Sequence, residues 1–399
     1  MTTLDRCDLL VVGAGPAGSA LAAHAAGRGM DVILVERGTH PRPKACAEYA
    51  SPRIADELAR LGVDERSWRP QAVPLNGMRV HVDGTAFDVT YADRRGKRTA
   101  WGLDRPAFDA ALAAHARAAG ARLLERTAVT ELAWRRGRVV GGSLRGPFGV
   151  VDVRARWVAG ADGVRSTVAR RVGAMARVRF PRRLGLVAHY EGTDAGRARM
   201  GQMHVGDGYY VGLAPLPGGR LNVAMAVPLN GGRSGRATDR FDAAIDSLPA
   251  ARAALRDATA RTPIRGVAPI GQRVRSVAGP GWLLVGDAAG FVDPFTGEGI
   301  YRAVRSARAA ANALTSAAAE ADDRVEPRYA AERRAAFAAK DTLTWVVQGL
   351  LAMPPLLAYA GRRLSSRPAV AIRFGSALGD CRSASDALSP RFLWEVFRP

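Results

Sequence analysis

The stretch Asp8 to Glu36, DLLVVGAGPAGSALAAHAAGRGMDVILVE, constrains the fold more than any other part of the chain. Leu9-Leu10-Val11-Val12 is an apolar run of buried-strand length, and Gly13-Ala14-Gly15-Pro16-Ala17-Gly18 fits G-x-G-x-x-G and leads at once into an Ala-rich helix. Each glycine has a task. Gly13 allows the tight turn, Gly15 lets backbone approach a pyrophosphate, and Gly18 lets the helix pack closely on the strand, with Pro16 and Ala17 counted in the same site. A second strand, Asp31 to Val35, ends at Glu36, whose carboxylate can accept hydrogen bonds from both hydroxyls of a ribose. The same charge repels a 2′-phosphate.

With 399 residues the chain exceeds one simple core, so two domains are expected. Its net charge is +21, and only Lys44, Lys97 and Lys340 are lysines. Such a charge favours acidic partners: an anionic lipid surface, an acidic carrier protein or nicotinamide phosphates. The arginines are dispersed and accompany no helix-turn-helix, zinc-finger or RNA-binding signature, which points away from nucleic acid. Cys7, Cys46 and Cys381 are odd in number and widely spaced, and no histidine pairs with acids at metal-binding spacing. Neither a disulfide framework nor a metal site is expected. The N-terminus runs straight into the first strand, so the expectation is a cytoplasmic protein without a secretory signal.

After Glu36 comes a Pro- and charge-rich loop that, following a ribose-binding acid, would run along the dinucleotide toward its reactive end. Arg37, Lys44 and Ala45 on it are candidate cofactor contacts. Pro52 opens a helix from 53 to 61 that Gly62 stops. Alternation around Asp83-Gly84 in RVHVDGTAFDVTY predicts a hairpin, and residues 106 to 119 an amphipathic helix. From Arg183 to about Val227, LGLVAHY, GYYVGLAP and LNVAMAV read as antiparallel sheet inserted into the βαβ rhythm around it. Trp282 to Asp287 is again a buried strand ending in Gly-Asp, followed by a helix beginning near Ile300. Residues 342 to 360, TLTWVVQGLLAMPPLLAYA, carry no charge, but Pro354-Pro355 break any single spanning helix. Burial against the second domain is the expected fate of this stretch, with a lid or a helix lying on lipid as the alternative.

Three segments taken together are specific: the Gly-rich turn with Glu36, Gly160-Ala161-Asp162-Gly163-Val164-Arg165-Ser166, and Gly286-Asp287-Ala288-Ala289-Gly290-Phe291-Val292-Asp293-Pro294. Their order and spacing resemble the FAD-dependent monooxygenase superfamily of para-hydroxybenzoate-hydroxylase fold, nearest its geranylgeranyl reductase-like branch. The resemblance implies an α/β fold, with a Rossmann-like FAD-binding domain, an inserted antiparallel substrate sheet and a C-terminal helical segment. The corresponding divisions are FAD-binding parts at 1–72, 101–180 and 276–340, substrate parts at 73–100 and 181–275, and a helical lid at 341–399. It further implies FAD bound extended, with Asp162 supporting the pyrophosphate region, Gly286 and Asp287 the ribityl side, Arg105 the flavin phosphates and Val129 the adenine. Pro294, Gly297, Gly299 and Ile300 would lie beside the isoalloxazine, with Glu298 the unusual charge among them.

GEGIY and KACAEYASPR resemble geranylgeranyl reductases, with Cys46 in the position of their loop cysteine and Ala47 replacing a glycine. Their substrate-sheet motif Y-x-W-x-F-P is reduced here to Tyr210-Val211-Gly212-Leu213-Ala214-Pro215. The lost aromatics favour a ring-containing substrate. The expected function is therefore FAD-dependent monooxygenation of a hydrophobic phenolic or polyketide-type intermediate, with NAD(P)H as a transiently docked reductant. Tyr210, Gly212, Ala214 and the Pro294 to Gly299 loop are its expected cavity walls, and Cys46, Glu298 and Tyr210 the catalytic candidates. The alternative is reduction of isoprenoid double bonds; halogenation and non-catalytic flavin binding rank below it.

Overall fold

The computed structural model describes residues 6–147, 149–229, 236–317 and 322–398. Its first layer is a mixed sheet centred on Arg6–Val12, which pairs in parallel with Val32–Val35 on one side and Gly149–Gly160 on the other. Arg122–Leu124 extends the sheet beyond Val32–Val35, and Trp282–Leu284 adds in parallel to the end of Gly149–Gly160. On the far side Ala128–Arg135 and Arg138–Gly146 form an antiparallel meander with Gly149–Gly160. Leu9, Leu10 and Val11 are wholly buried, because a strand covered on both faces has no polar side to show.

Helix Pro16–Ala26 lies on this sheet and packs between Arg105–Ala118 and Gly299–Ala317. Its alanines let three backbones approach closely: Ala20, Ala22, Ala25, Ala307, Ala310 and Ala311 have no exposed surface.

The second layer is a nine-stranded sheet, ordered Thr259–Ala260, Arg183–Glu191, Arg220–Pro228, Tyr210–Leu216, Gly201–Val205, Gly77–Val82, Thr85–Asp93 and Gly96–Arg98, with Arg265–Val267 also on Arg183–Glu191. All its contacts are antiparallel except Gly201–Val205 with Gly77–Val82, where two separated parts of the chain join. The expected hairpin turns at Asp83 and Gly84, both at positive φ, as a tight two-residue turn demands.

A three-stranded link, Tyr49–Ala50 and Ala72–Leu75 flanking Ala100–Leu103, connects the two layers. The division expected at 340/341 falls inside one continuous helix, Val325–Leu351, since the loss of charge after Asp341 brings no breaker before Pro354. That helix then bends by 112° into Pro354–Ser365. With Pro368–Leu378, these helices cover the face of the second sheet that carries Val80, Val89, Tyr91 and Met203.

Candidate functional site

The Gly-rich turn is built as its sequence demands. Gly13 has φ +100°, and a Cβ there would lie 2.8 Å from the Ala161 carbonyl oxygen; a Cβ on Gly18 would lie 1.8 Å from that of Gly13. Gly15 differs, since a Cβ would meet only Arg42 Nη2, at 3.7 Å. Helix Pro16–Ala26 has no side-chain cap, so its first N–H groups stay free for an anion. This open cradle fits a pyrophosphate.

Glu36 is buried beside it. Its carboxylate accepts from the Ala14 amide at 3.1 Å and the Gly38 amide at 3.0 Å, and pairs with Arg42 at 2.9 Å. The Arg126 and Thr127 amides bond the Gly38 and Glu36 carbonyls, which brings the segment leading to Val129 against the same end of the cradle. His40 clamps the turn, with Nε2 3.0 Å from the Ala14 oxygen and Nδ1 2.8 Å from Glu125. Arg42 and His40 carry no sequence signal beyond lying in a Pro-rich loop. Arg37 is exposed, and Ala45 is half-buried.

Across the cleft, Gly286 at φ +59° stands where a Cβ would be 2.8 Å from that of Ala17. The Lys44 ammonium lies 3.9 Å from the Asp287 carboxylate, so the first and third motifs meet. Asp162 lies against the Gly-rich turn, its Cα 2.9 Å from where a Cβ on Gly13 would stand. Its carboxylate accepts from Ser166 Oγ at 2.5 Å and the Thr167 amide at 2.6 Å, at the start of helix Thr167–Arg171. Burial raises its pKa despite these bonds.

Arg105 is the residue expected at the flavin phosphates; its buried guanidinium forms a bidentate pair with Asp109 at 2.8 and 2.9 Å and donates to Cys46 Sγ at 3.0 Å. A second cation, Arg42, stands at the Gly-rich turn, where its Nη2 is the atom a Cβ on Gly15 would meet. Next to Cys46, Glu48 sits at φ +55° with 1% exposure. It accepts from the Arg105 amide at 3.1 Å, and its other oxygen meets Asn222 Nδ2 at 2.8 Å and His189 Nε2 at 2.7 Å. Asn222 also donates to the Cys46 carbonyl at 3.0 Å. Glu48, His189 and Asn222 thus fasten the cysteine loop to the second sheet, a union of segments more than 140 residues apart that sequence spacing does not reveal.

Tyr210 is buried with its ring edge-on to Phe295, centroids 5.1 Å apart. Its phenol donates to Asp293 at 2.6 Å, Asp293 pairs with Arg183 at 2.6 Å, and Arg183 bonds Gln348 at 2.6 Å. Burial first, then the Asp293 charge, hold the phenol's pKa well above its ordinary value. This buried chain anchors the Pro294–Gly299 loop to the second sheet. Glu298, expected beside the isoalloxazine, instead faces Lys340 at 3.1 Å and Arg302 at 3.3 Å. Gly297 has φ +68°, Gly299 opens the long helix, and Ile300 is buried.

A cavity of about 30 Å³ lies between this loop and the second sheet, lined by Tyr49, Tyr91, Met203, Phe295, Thr296 and Leu378 among others. Of the expected walls only the loop contributes. Gly212 lies against Met203, where a Cβ would make ordinary contact at 3.6 Å, and Ala214 is buried. The Tyr49 and Tyr91 hydroxyls bond each other at 2.7 Å, and Thr296 Oγ1 is buried without a partner. Among the described residues no group of His, Cys, Asp and Glu could hold a metal ion.

A two-layer α/β fold whose separated motifs close on one phosphate cradle defines a flavin-nucleotide protein. The chain belongs to the FAD binding domain family, whose model matches residues 6–343. It is 30% identical over 327 residues to the menaquinone reductase of Mycolicibacterium smegmatis, covering 78% of this chain and 77% of the relative. With the digeranylgeranylglycerophospholipid reductase of Methanosarcina mazei it shares 32% identity over 327 residues, 80% and 77% of the two chains. A geranylgeranyl bacteriochlorophyll reductase-like protein from Thermoplasma acidophilum superposes with a TM-score of 0.79 at 24% identity, over 96% of this chain and 99% of the other. The chain is an FAD-dependent oxidoreductase with the fold of the FAD-dependent monooxygenase superfamily.

Proposed function

We propose that this protein reduces a carbon–carbon double bond in an isoprenoid lipid, rather than inserting oxygen into a ring. The observation that carries this reading is the similarity, over about four fifths of the chain, to relatives named for reducing menaquinone and digeranylgeranylglycerophospholipid. Two features of the site support it. Met203 stands 3.6 Å from where a Cβ on Gly212 would lie, so its side chain takes up part of the space of one of the two missing aromatics. Cys46 Sγ is held in the grip of Arg105.

Bound FAD, once reduced, supplies a hydride equivalent. The residues present fit the oxidised nucleotide: Glu36 suits the adenosine ribose, the free amides after Gly15 and the Arg42 guanidinium suit the pyrophosphate, and Asp287 suits ribityl hydroxyls. Cys46 Sγ delivers the proton that completes the addition of two hydrogens. Arg105 faces the sulfur left behind, and its pairing with Asp109 fixes the guanidinium there. Glu48, His189 and Asn222 hold the loop so that sulfur and substrate meet in one geometry. NAD(P)H is the proposed reductant. A cleft of about 250 Å³ lined by Arg165, Arg177 and Arg182 offers cations for its phosphates.

The test is product mass. Under anaerobic conditions the FAD-loaded protein with NADPH should add two hydrogens to a prenylated quinone or a geranylgeranylated lipid. Addition of one oxygen in air, with no anaerobic product, would replace this reading with monooxygenation.

A further inference from the structure

Among the described residues, eight of the twelve large hydrophobic side chains most exposed to solvent fall within residues 345–394: Trp345, Val346, Met353, Leu356, Tyr359, Ile372, Leu393 and Trp394. Along the uncharged stretch 342–360, Trp345 lies on helix Val325–Leu351, Met353 at the 112° bend, and Leu356 and Tyr359, three residues apart, on helix Pro354–Ser365. The opposite faces of these helices are spoken for. Leu343, Val347, Leu351, Leu357, Ala358 and Leu364 are buried in the core shared with the second sheet. The exposed set is therefore a second apolar face on helices that have already buried one.

Its surroundings are basic. Residues 361–398 hold seven arginines against Asp380, Asp386 and Glu395. Asp380 is engaged by Lys340, and Glu395 by Arg373 and Arg391. Arg362 shares a helix face with Tyr359, and Arg391 with Trp394, each three residues apart. Tyr359 stacks on Phe397 at 6.4 Å and its hydroxyl bonds the Phe397 carbonyl, which joins the last helix to the bend.

From this geometry we infer that the C-terminal helices form a docking face for an anionic lipid bilayer. No single helix among the described residues is long and apolar enough to cross a membrane, so the face lies in the interface. Tryptophan and tyrosine suit that depth, where a ring meets acyl chain and its polar edge meets water. Arginines beside them meet lipid phosphates. Charge selects the occupant: a second copy of the chain would set one basic surface against another, whereas an anionic leaflet complements it. The inference stands whether the chain reduces or oxygenates its substrate.

The FAD-loaded full chain is mixed with vesicles of phosphatidylcholine alone, or with a third replaced by phosphatidylglycerol, and sedimented. Binding to the anionic vesicles, a blue shift of tryptophan emission and weakening by salt are expected. Trp345→Ser with Trp394→Ser should lower partitioning at least about tenfold, and Arg362→Gln with Arg391→Gln about fivefold per arginine. Flavin absorbance of each variant verifies folding. Absence of binding to both vesicles, or binding that neither pair of substitutions reduces, would overturn the inference. So would a dimer in solution that the double tryptophan variant converts to monomer.

Discussion

Lys340 and Glu298 form a buried ion pair, Nζ 3.1 Å from Oε2, with each side chain 4% exposed. Lys340 also lies 3.3 Å from Asp380 and donates to the carbonyls of Ala377 and Leu378. Burial alone would depress this ammonium; Asp380 and Glu298 more than offset it and raise its pKa. The pair joins the helix that follows the flavin loop to the C-terminal helices. Replacing Lys340 by Met strands two carboxylates, and a loss of about 3–5 kcal/mol in denaturant unfolding is expected. Glu298→Gln should leave turnover within about twofold, because the side chain faces Lys340 and Arg302. A large loss of turnover with normal stability would return Glu298 to the chemistry.

Gly15 and Gly18 should respond in opposite ways to the same methyl group. An alanine at 18 must displace the Gly13 backbone, so the protein is expected to fold poorly or not at all. An alanine at 15 clashes with nothing and should fold, yet lose FAD affinity because the methyl fills the phosphate cradle. Flavin content and thermal unfolding of the two variants measure this contrast.

Cys46→Ala should keep bound flavin and its rate of reduction by NADPH, while formation of the reduced lipid falls about 100-fold. Arg105→Met should lower stability as well, since it leaves Asp109 buried without its partner. Stopped-flow flavin absorbance separates the two half-reactions. Full product formation by Cys46→Ala would remove the thiol as proton donor.

Acid should weaken the fold through histidines. His204 is 1% exposed and stacks on His81 at 4.6 Å; burial, then the His81 charge, bring its pKa down to about 3. Burial, followed by the nearby Arg28 and Arg308 charges, lowers that of His24 to about 4. The unfolded chain takes up these protons near pH 6.5, so stability is flat above that value and falls as pH drops toward the folded values. Between about pH 6.5 and about pH 5 the loss at His204 alone should be about 2 kcal/mol. Urea unfolding at the two pH values measures it, and His204→Gln should flatten the slope.

The nucleotide half of the fold is legible in the sequence because its signals are local. Gly13, Gly15 and Gly18 form a compact motif between a strand and a helix, Gly18 being glycine because the Gly13 backbone lies against it, and Glu36 follows its strand directly. The second sheet was recognisable from its alternation and glycines. Partner choice among charged groups was not, since it depends on segments that meet only in space. Arg105 reaches Cys46, Glu48 reaches His189 and Asn222, and Tyr210 reaches Asp293. Arg42, His40 and Glu48 gain their places from a loop with no periodic pattern to read.

The 3.9 Å approach of Lys44 to Asp287 has a bearing on biosynthesis. One rim of the cleft leaves the ribosome early, and the opposite rim only after nearly three quarters of the chain has been made. A nascent polypeptide halted before Gly286 thus has half a clasp, and the yellow colour of the holoprotein should report that translation has passed this point.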